Sequence, residues 1–182
     1  MTYKTEEIKA LFESAFNFKE VRADDIPNID LYVDQIIKIF EDRLSENNSE
    51  EKFLTKSMVN NYSKEKLISP VKGKKYTKEQ ILQILLIYDL KGILSIQNIK
   101  SITNSIIEQE NSKESIDGVF KSYEDNYIYT QGLCNLICDK ITSKYDNDLS
   151  IEELTSILLS ISQVANSLRK TAELITQNFF ED

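Results

Sequence analysis

Residues 54–99 read LTKSMVNNYSKEKLISPVKGKKYTKEQILQILLIYDLKGILSIQNI, and their order decides the fold. Thr55 is an N-cap residue ahead of a short helix over 56–67, with Met58, Val59, Tyr62 and Leu67 as its apolar side. SPVKGKKY is then too short and polar for a helix. Pro70 ends what precedes it, and Gly73 permits positive φ at the tip. Thr77-Lys-Glu-Gln80 has the spacing of a capping box and opens a helix over 78–91. That helix is apolar on more than one side (Ile81, Leu82, Ile84, Leu85, Leu86, Ile87), which marks it as the central core helix. Gly92 stops it, and Ser95 starts another over about 96–108.

The same stretch holds the basic part of an acidic chain. The 182 residues carry a net charge of −8, yet residues 51–80 hold 8 Lys against 3 Glu, net +5. Residues 1–50 are net −6, 81–105 net +1 and 106–182 net −8. A polyanion would be repelled by the flanks and attracted by the island, so nucleic acid is the leading partner. The alternative is a solvated lysine-rich surface. With 41% hydrophobic residues, 4 Gly and 2 Pro, the chain has material for a core and few breakers, and the expected class is mainly α. No apolar run approaches the length of about 18 residues that a membrane span needs. The N-terminus lacks the basic and apolar regions of a signal peptide, and two cysteines make no disulfide scaffold. The expected location is the cytoplasm.

Outward from the island, residues 5–16 form an amphipathic helix (Ile8, Leu11, Phe12, Phe16), and VRADDIPN is a linker. A helix over about 30–46 follows, with Val33, Ile36, Ile37, Phe40 and Leu44 at helical spacing, then the polar break SENNSEE. In the last third, Ile151, Leu154, Leu158, Ile161, Ala165, Leu168, Ala172, Ile175 and Phe179 alternate 3 and 4 apart, a coiled-coil-like seam. Ile116, Phe120, Tyr123, Tyr127, Thr130, Cys134, Ile137 and Ile141 keep the same rhythm, and SKYDNDLS connects the two. Leu159, Val164, Leu174, Ile128 and Leu133 lie off these seams, so each helix has apolar residues for two neighbours. The expectation is an antiparallel hairpin that either dimerises or packs on its own N-terminal domain. Three parts result: helix and linker at 1–25, a central domain at 26–110 and the hairpin at 111–182.

Residues 54–99 resemble the MerR-type winged helix. That family shows a Leu-Arg-Tyr-Tyr-Glu-x-x-Gly-Leu-Leu run, a proline, a Gly-Tyr-Arg-x-Tyr wing and a Phe-Ser-Leu-x-x-Ile helix start. Here VNNYSKEKLI (Val59 to Ile68), Pro70, KGKKY (Lys72 to Tyr76) and LSIQNI (Leu94 to Ile99) keep the order and spacing. With IPNIDLYVDQI added, the chain looks more closely like a bacterial domain-of-unknown-function family related to MerR, over about 26–105. Two departures stand out: Asn60-Asn61 replaces the usual Arg-Tyr pair, and Lys66 replaces the glycine before the apolar pair.

The resemblance implies an all-α fold with a small β-wing, binding to double-stranded DNA and transcriptional regulation. Helix 56–67 would enter the major groove. Thr55 and Lys56 would meet phosphate at its N-terminus. Asn60 and Asn61 would offer amides to adenine. Tyr62 would reach a phosphate or pack in the core, and Lys64 would approach the backbone. Lys72, Lys74 and Lys75 would straddle the neighbouring backbone, with Tyr76 more as the wing's anchor than a base contact. The island has no Arg, the residue that forks onto guanine, so A·T-rich DNA, modest specificity and strong salt dependence are expected. A homodimer built through the C-terminal helices would carry two islands.

Enzymatic chemistry finds little support. The chain has no His, which excludes His-based catalysis and His-metal sites. Its glycines at 73, 92, 118 and 132 form neither a dinucleotide fingerprint nor a P-loop. Cys134 and Cys138 share a helix face, where a thiol sensor competes with plain core packing. Phe120, Tyr123, Tyr127 and Tyr129 would either line a small-molecule pocket or fill a core. Neither a cofactor nor a metal is expected. The rival to a DNA-binding regulator is a protein-interaction module of the same fold that has lost DNA binding.

Overall fold

A computed structural model describes residues 3–16, 21–44, 54–109 and 111–181. The SENNSEE break, the expected helix end at 46 and the side chains of Leu44 and Ile128 lie outside them. The described chain is all-α with small two-stranded antiparallel ladders. In order come β1 (Tyr3–Lys4), α1 (Thr5–Phe16), a 3-10 turn at Ala23–Asp25, β2 (Leu31–Tyr32), α2 (Val33–Leu44), α3 (Lys56–Lys64), β3 (Lys75–Tyr76), α4 (Lys78–Leu90), α5 (Ile96–Ile107), α6 (Ser112–Thr142), β4 (Asp148–Leu149) and α7 (Ile151–Phe179). No described helix is long and apolar enough to cross a membrane.

The chain divides into two compact units, each built from two segments, where the sequence suggested three consecutive parts. The larger unit comprises Lys19–Ser122 and Ala172–Asp182; the smaller comprises Met1–Phe18 and Tyr123–Thr171. The difference has a simple origin. The hairpin helices α6 and α7 are long enough for each to contribute to both units, which a linear cut cannot express.

The core of the larger unit is centred on α4, as its all-round apolar sequence predicts. Ile81, Leu82, Ile84, Leu85 and Ile87 are fully buried, with Ile36, Phe40, Val59, Leu67, Ile99 and Ile116 in the same cluster. Phe40 meets Tyr88 edge-on with ring centroids 5.3 Å apart. Predicted caps form: Thr55 accepts from the Met58 N–H, Ser95 from the Asn98 N–H, and Thr77 and Gln80 make a reciprocal box.

Two boundaries differ from expectation. The helix expected from 30 begins at Val33, because Leu31 and Tyr32 are drawn into an extended pair with β3 (Leu31 opposite Tyr76, Tyr32 opposite Lys75). The helix expected over 56–67 ends at Lys64. There the Leu67 N–H donates to Tyr62 O and the Lys66 N–H to Ser63 O, a Schellman stop with Lys66 left-handed at φ 58°. Lys66 is the residue standing where the resembled family has glycine. A side chain in that region costs on the order of 1 kcal/mol, so Lys66→Gly is expected to raise stability by about that amount. A thermal melt should move up by roughly 2–4 °C; an unchanged or lower midpoint would refute the assignment of strain to this residue.

In the smaller unit, β1 pairs with β4 (Tyr3 opposite Leu149), and the Thr5 hydroxyl donates to Asp146 O at 2.5 Å. The Gln131 amide donates to Phe16 O, and the rings of Phe12 and Phe16 are 5.5 Å apart.

Candidate nucleic-acid interface

Helix α3 sorts its residues cleanly. Val59 and Tyr62 are buried, while Lys56, Ser57, Asn60, Asn61 and Lys64 are all exposed. At 100° per residue these five occupy a continuous arc of about 140°, with Asn60 nearer its middle and Asn61 at its edge. The arc offers two amides and a hydroxyl, flanked by a lysine at each end. Ser57 is absent from the sequence-based site; its signal is the i, i+4 relation to Asn61. The Thr55 hydroxyl serves as cap acceptor, which leaves its hydrogen free to donate outward.

The lysine loop is fixed from below. Gln80 and Gln83 are buried on α4, three apart on one face. The Gln83 carbonyl accepts from the Ser69 N–H at 2.7 Å and its amide donates to the Ser69 hydroxyl at 2.9 Å. The Gln80 amide donates to Ser69 O and Pro70 O at 3.2 and 3.0 Å. Two side-chain amides thus grip the entrance to the loop. Gly73 takes φ 85° at its tip, where side-chain-bearing residues would be strained. The exit is the β3 strand paired with β2, so the wing strand finds its partner upstream of α2. Lys72, Lys74 and Lys75 project from this frame and are exposed.

Two contacts bring helix and loop to one place. The Lys56 ammonium lies 2.6 Å from an Asp34 carboxylate oxygen, and the Lys75 ammonium sits 5.0 Å from the Tyr32 ring centroid. Tyr32 and Asp34 are two residues apart at the β2–α2 junction. The N-terminus of α3 and the start of β3 therefore hang on one short segment. Both contacts are exposed and individually weak; they locate the groups more than they stabilise the fold.

Two tyrosines of the sequence-based site need correcting. Tyr62 is only 7% exposed within the core cluster, and burial pushes its phenol above the ordinary tyrosine range, so packing rather than phosphate contact is its role. Tyr76 is equally buried opposite Leu31 and is the wing's anchor. Period-2 alternation explains the latter: Leu31 and Tyr76 face inward, Tyr32 and Lys75 outward.

The speculative ligand-binding aromatics are not gathered into one site. Phe120 is buried in the core of the larger unit, while Tyr123 and Tyr127 belong to the smaller unit, exposed and half-buried respectively. Cys138 is buried, and burial first, then Asp139 and Glu13, push its thiol up despite Lys9. That is the environment of an inert thiol, not of a reactive thiolate.

These features define a class: a small helical domain presenting an amide-bearing helix beside a strand-anchored basic loop. The profile of the domain of unknown function DUF1836 matches residues 21–130, more than half of the chain, and the chain belongs to that family. The matched region contains the whole of the α3 arc and the lysine loop. No curated protein and no solved structure matches the chain.

Proposed function

We propose that this protein is a DNA-binding transcriptional regulator of MerR-like, bacterial and cytoplasmic type. The exposed arc of α3 lies in the major groove and the Lys72–Lys75 loop rests on the adjacent backbone. The observation that carries this reading is the convergence of Lys56 and Lys75 on the Tyr32–Asp34 segment. It gives a cationic helix start and a cationic loop side by side, with Asn60 and Ser57 pointing to solvent between lysines. The resemblance of residues 54–99 to the MerR winged helix supports the same docking. Asp34 acts as an internal competitor of phosphate for Lys56, so part of the electrostatic gain is offset on binding.

A second reading, docking of a protein partner, is favoured by that same Asp34 pairing and by the net charge of −8. Salt dependence separates the two. In a fluorescence-anisotropy titration with A·T-rich duplex, engagement of about five phosphates per chain predicts a log–log salt slope near −4 to −5. No binding to duplex at low salt by the folded protein would exclude the DNA reading.

A further inference from the structure

The smaller unit is short of a core. Among its described residues the buried hydrophobics are Phe12, Cys138, Leu149 and Ile157, whereas nine large hydrophobics stay exposed. A unit of this size buries too little surface to dispense with outside help. The imbalance is concentrated on α7. Leu154, Ile157, Ile161 and Val164, spaced 3, 4 and 3, turn inward and are buried or half-buried. On the other side Leu158 and Leu159 are 57% and 67% exposed, with small Thr155, Ser162 and Ala165 between them and Ile151 exposed at the end. From Ala165 to Thr171 every residue is exposed; Leu168, one turn beyond Val164, is left at 61%. The sequence places Leu154, Leu158, Ile161 and Leu168 on one seam. The structure splits them between an inner row and an uncovered outer face.

We infer that this outer face of α7, over residues 151–171, pairs antiparallel with the same face of a second copy of the chain. The inference is independent of the DNA reading. The face is about 31 Å long at helical rise, and its exposed side chains present on the order of 700 Å², close to the per-partner area of a standard stable interface. Charge selects the orientation. Glu152 stands near one end of the face and Arg169 and Lys170 near the other. Antiparallel pairing about Ile161 sets Glu152 of each copy against Lys170 of the other and brings Leu158 and Leu159 beside the small Ser162 and Ala165. Parallel pairing would oppose like charges. The antiparallel contact is two-fold symmetric and closes as a dimer.

Sedimentation equilibrium of the full chain tests this. Up to about 100 μM, above the micromolar end of interfaces of this size, the expected species is a dimer of the 21.1 kDa chain. Leu158→Glu with Leu159→Glu should weaken the dimer at least about 100-fold by burying unpaired carboxylates. The circular dichroism and melt should be kept, since both leucines are exposed in the single chain. Glu152→Lys and Lys170→Glu should each weaken it a few-fold, and together restore it, because the pair is exchanged across the two-fold axis. A wild-type monomer at the highest concentration would overturn the inference and leave the face to a different protein. A dimer insensitive to the leucine pair would overturn it equally, by placing the copy–copy contact elsewhere.

Discussion

Replacing Lys72, Lys74 and Lys75 together by alanine is expected to lower affinity for A·T-rich duplex by about 100-fold near 0.1 M salt and to reduce the log–log salt slope by about 3. The size follows from counterion release, in which each neutralised phosphate contributes about 0.9 to the slope. Three contacts removed at moderate salt cost between two and three decades of binding. The fold should survive, because all three side chains are exposed. Only the Lys75–Tyr32 contact is lost with them, and at an exposed site it is worth no more than about 1 kcal/mol. The measurement is an anisotropy titration at several salt concentrations beside a thermal melt. A lower affinity with an unchanged slope would mean that the lysines act on structure and not on phosphate. An unchanged affinity would remove the loop from the interface.

The second large effect concerns stability. Gln83→Ala should destabilise the larger unit by about 2–3 kcal/mol, lowering a melting midpoint by roughly 5–10 °C. Gln83 is almost fully buried, and both ends of its amide are engaged with Ser69. Truncation leaves the Ser69 N–H and hydroxyl without their partners in a place where water is scarce, and desolvated orphans are costlier than the bonds themselves. A loss below about 0.5 kcal/mol would show that water or a shifted loop replaces the amide. Because the grip on Ser69 also sets the entrance to the lysine loop, the variant is expected to bind DNA more weakly even below its melting range.

Much of this was legible in the chain because the relevant forces are local. Helix α1 was read to its residue, and α4, α5 and their caps fell within a residue or two, since Thr77, Gln80, Ser95 and the apolar spacing act over a single turn. The exposed lysines and asparagines of α3 also followed from periodicity. What escaped was non-local. The partner of β3 lies 45 positions upstream, and no rule of spacing links Leu31 to Tyr76. The Lys56–Asp34 and Lys75–Tyr32 contacts depend on that same pairing. Gln80 and Gln83 were readable as a cap and a polar interruption, yet their grip on Ser69 needs the loop folded back over them. On α7 the 3/4 rhythm was correct, but rhythm cannot choose between a face that meets the chain itself and one that does not. Leu158 and Ile157 are adjacent in sequence and opposite in burial.

The upstream origin of the wing's partner strand carries a consequence for how small a working piece of this protein can be. A fragment cut at Leu54 would keep all of α3, the loop lysines and α4, and its charge would be more favourable to DNA than that of the whole chain. It would still lack Leu31, the residue that holds Tyr76, and Tyr32 and Asp34, on which Lys75 and Lys56 rest. Its cations would be tethered but not arranged. The basic segment is therefore not a portable peptide: its geometry is borrowed from residues more than twenty positions ahead of it, and the shortest self-sufficient reader must begin before Leu31.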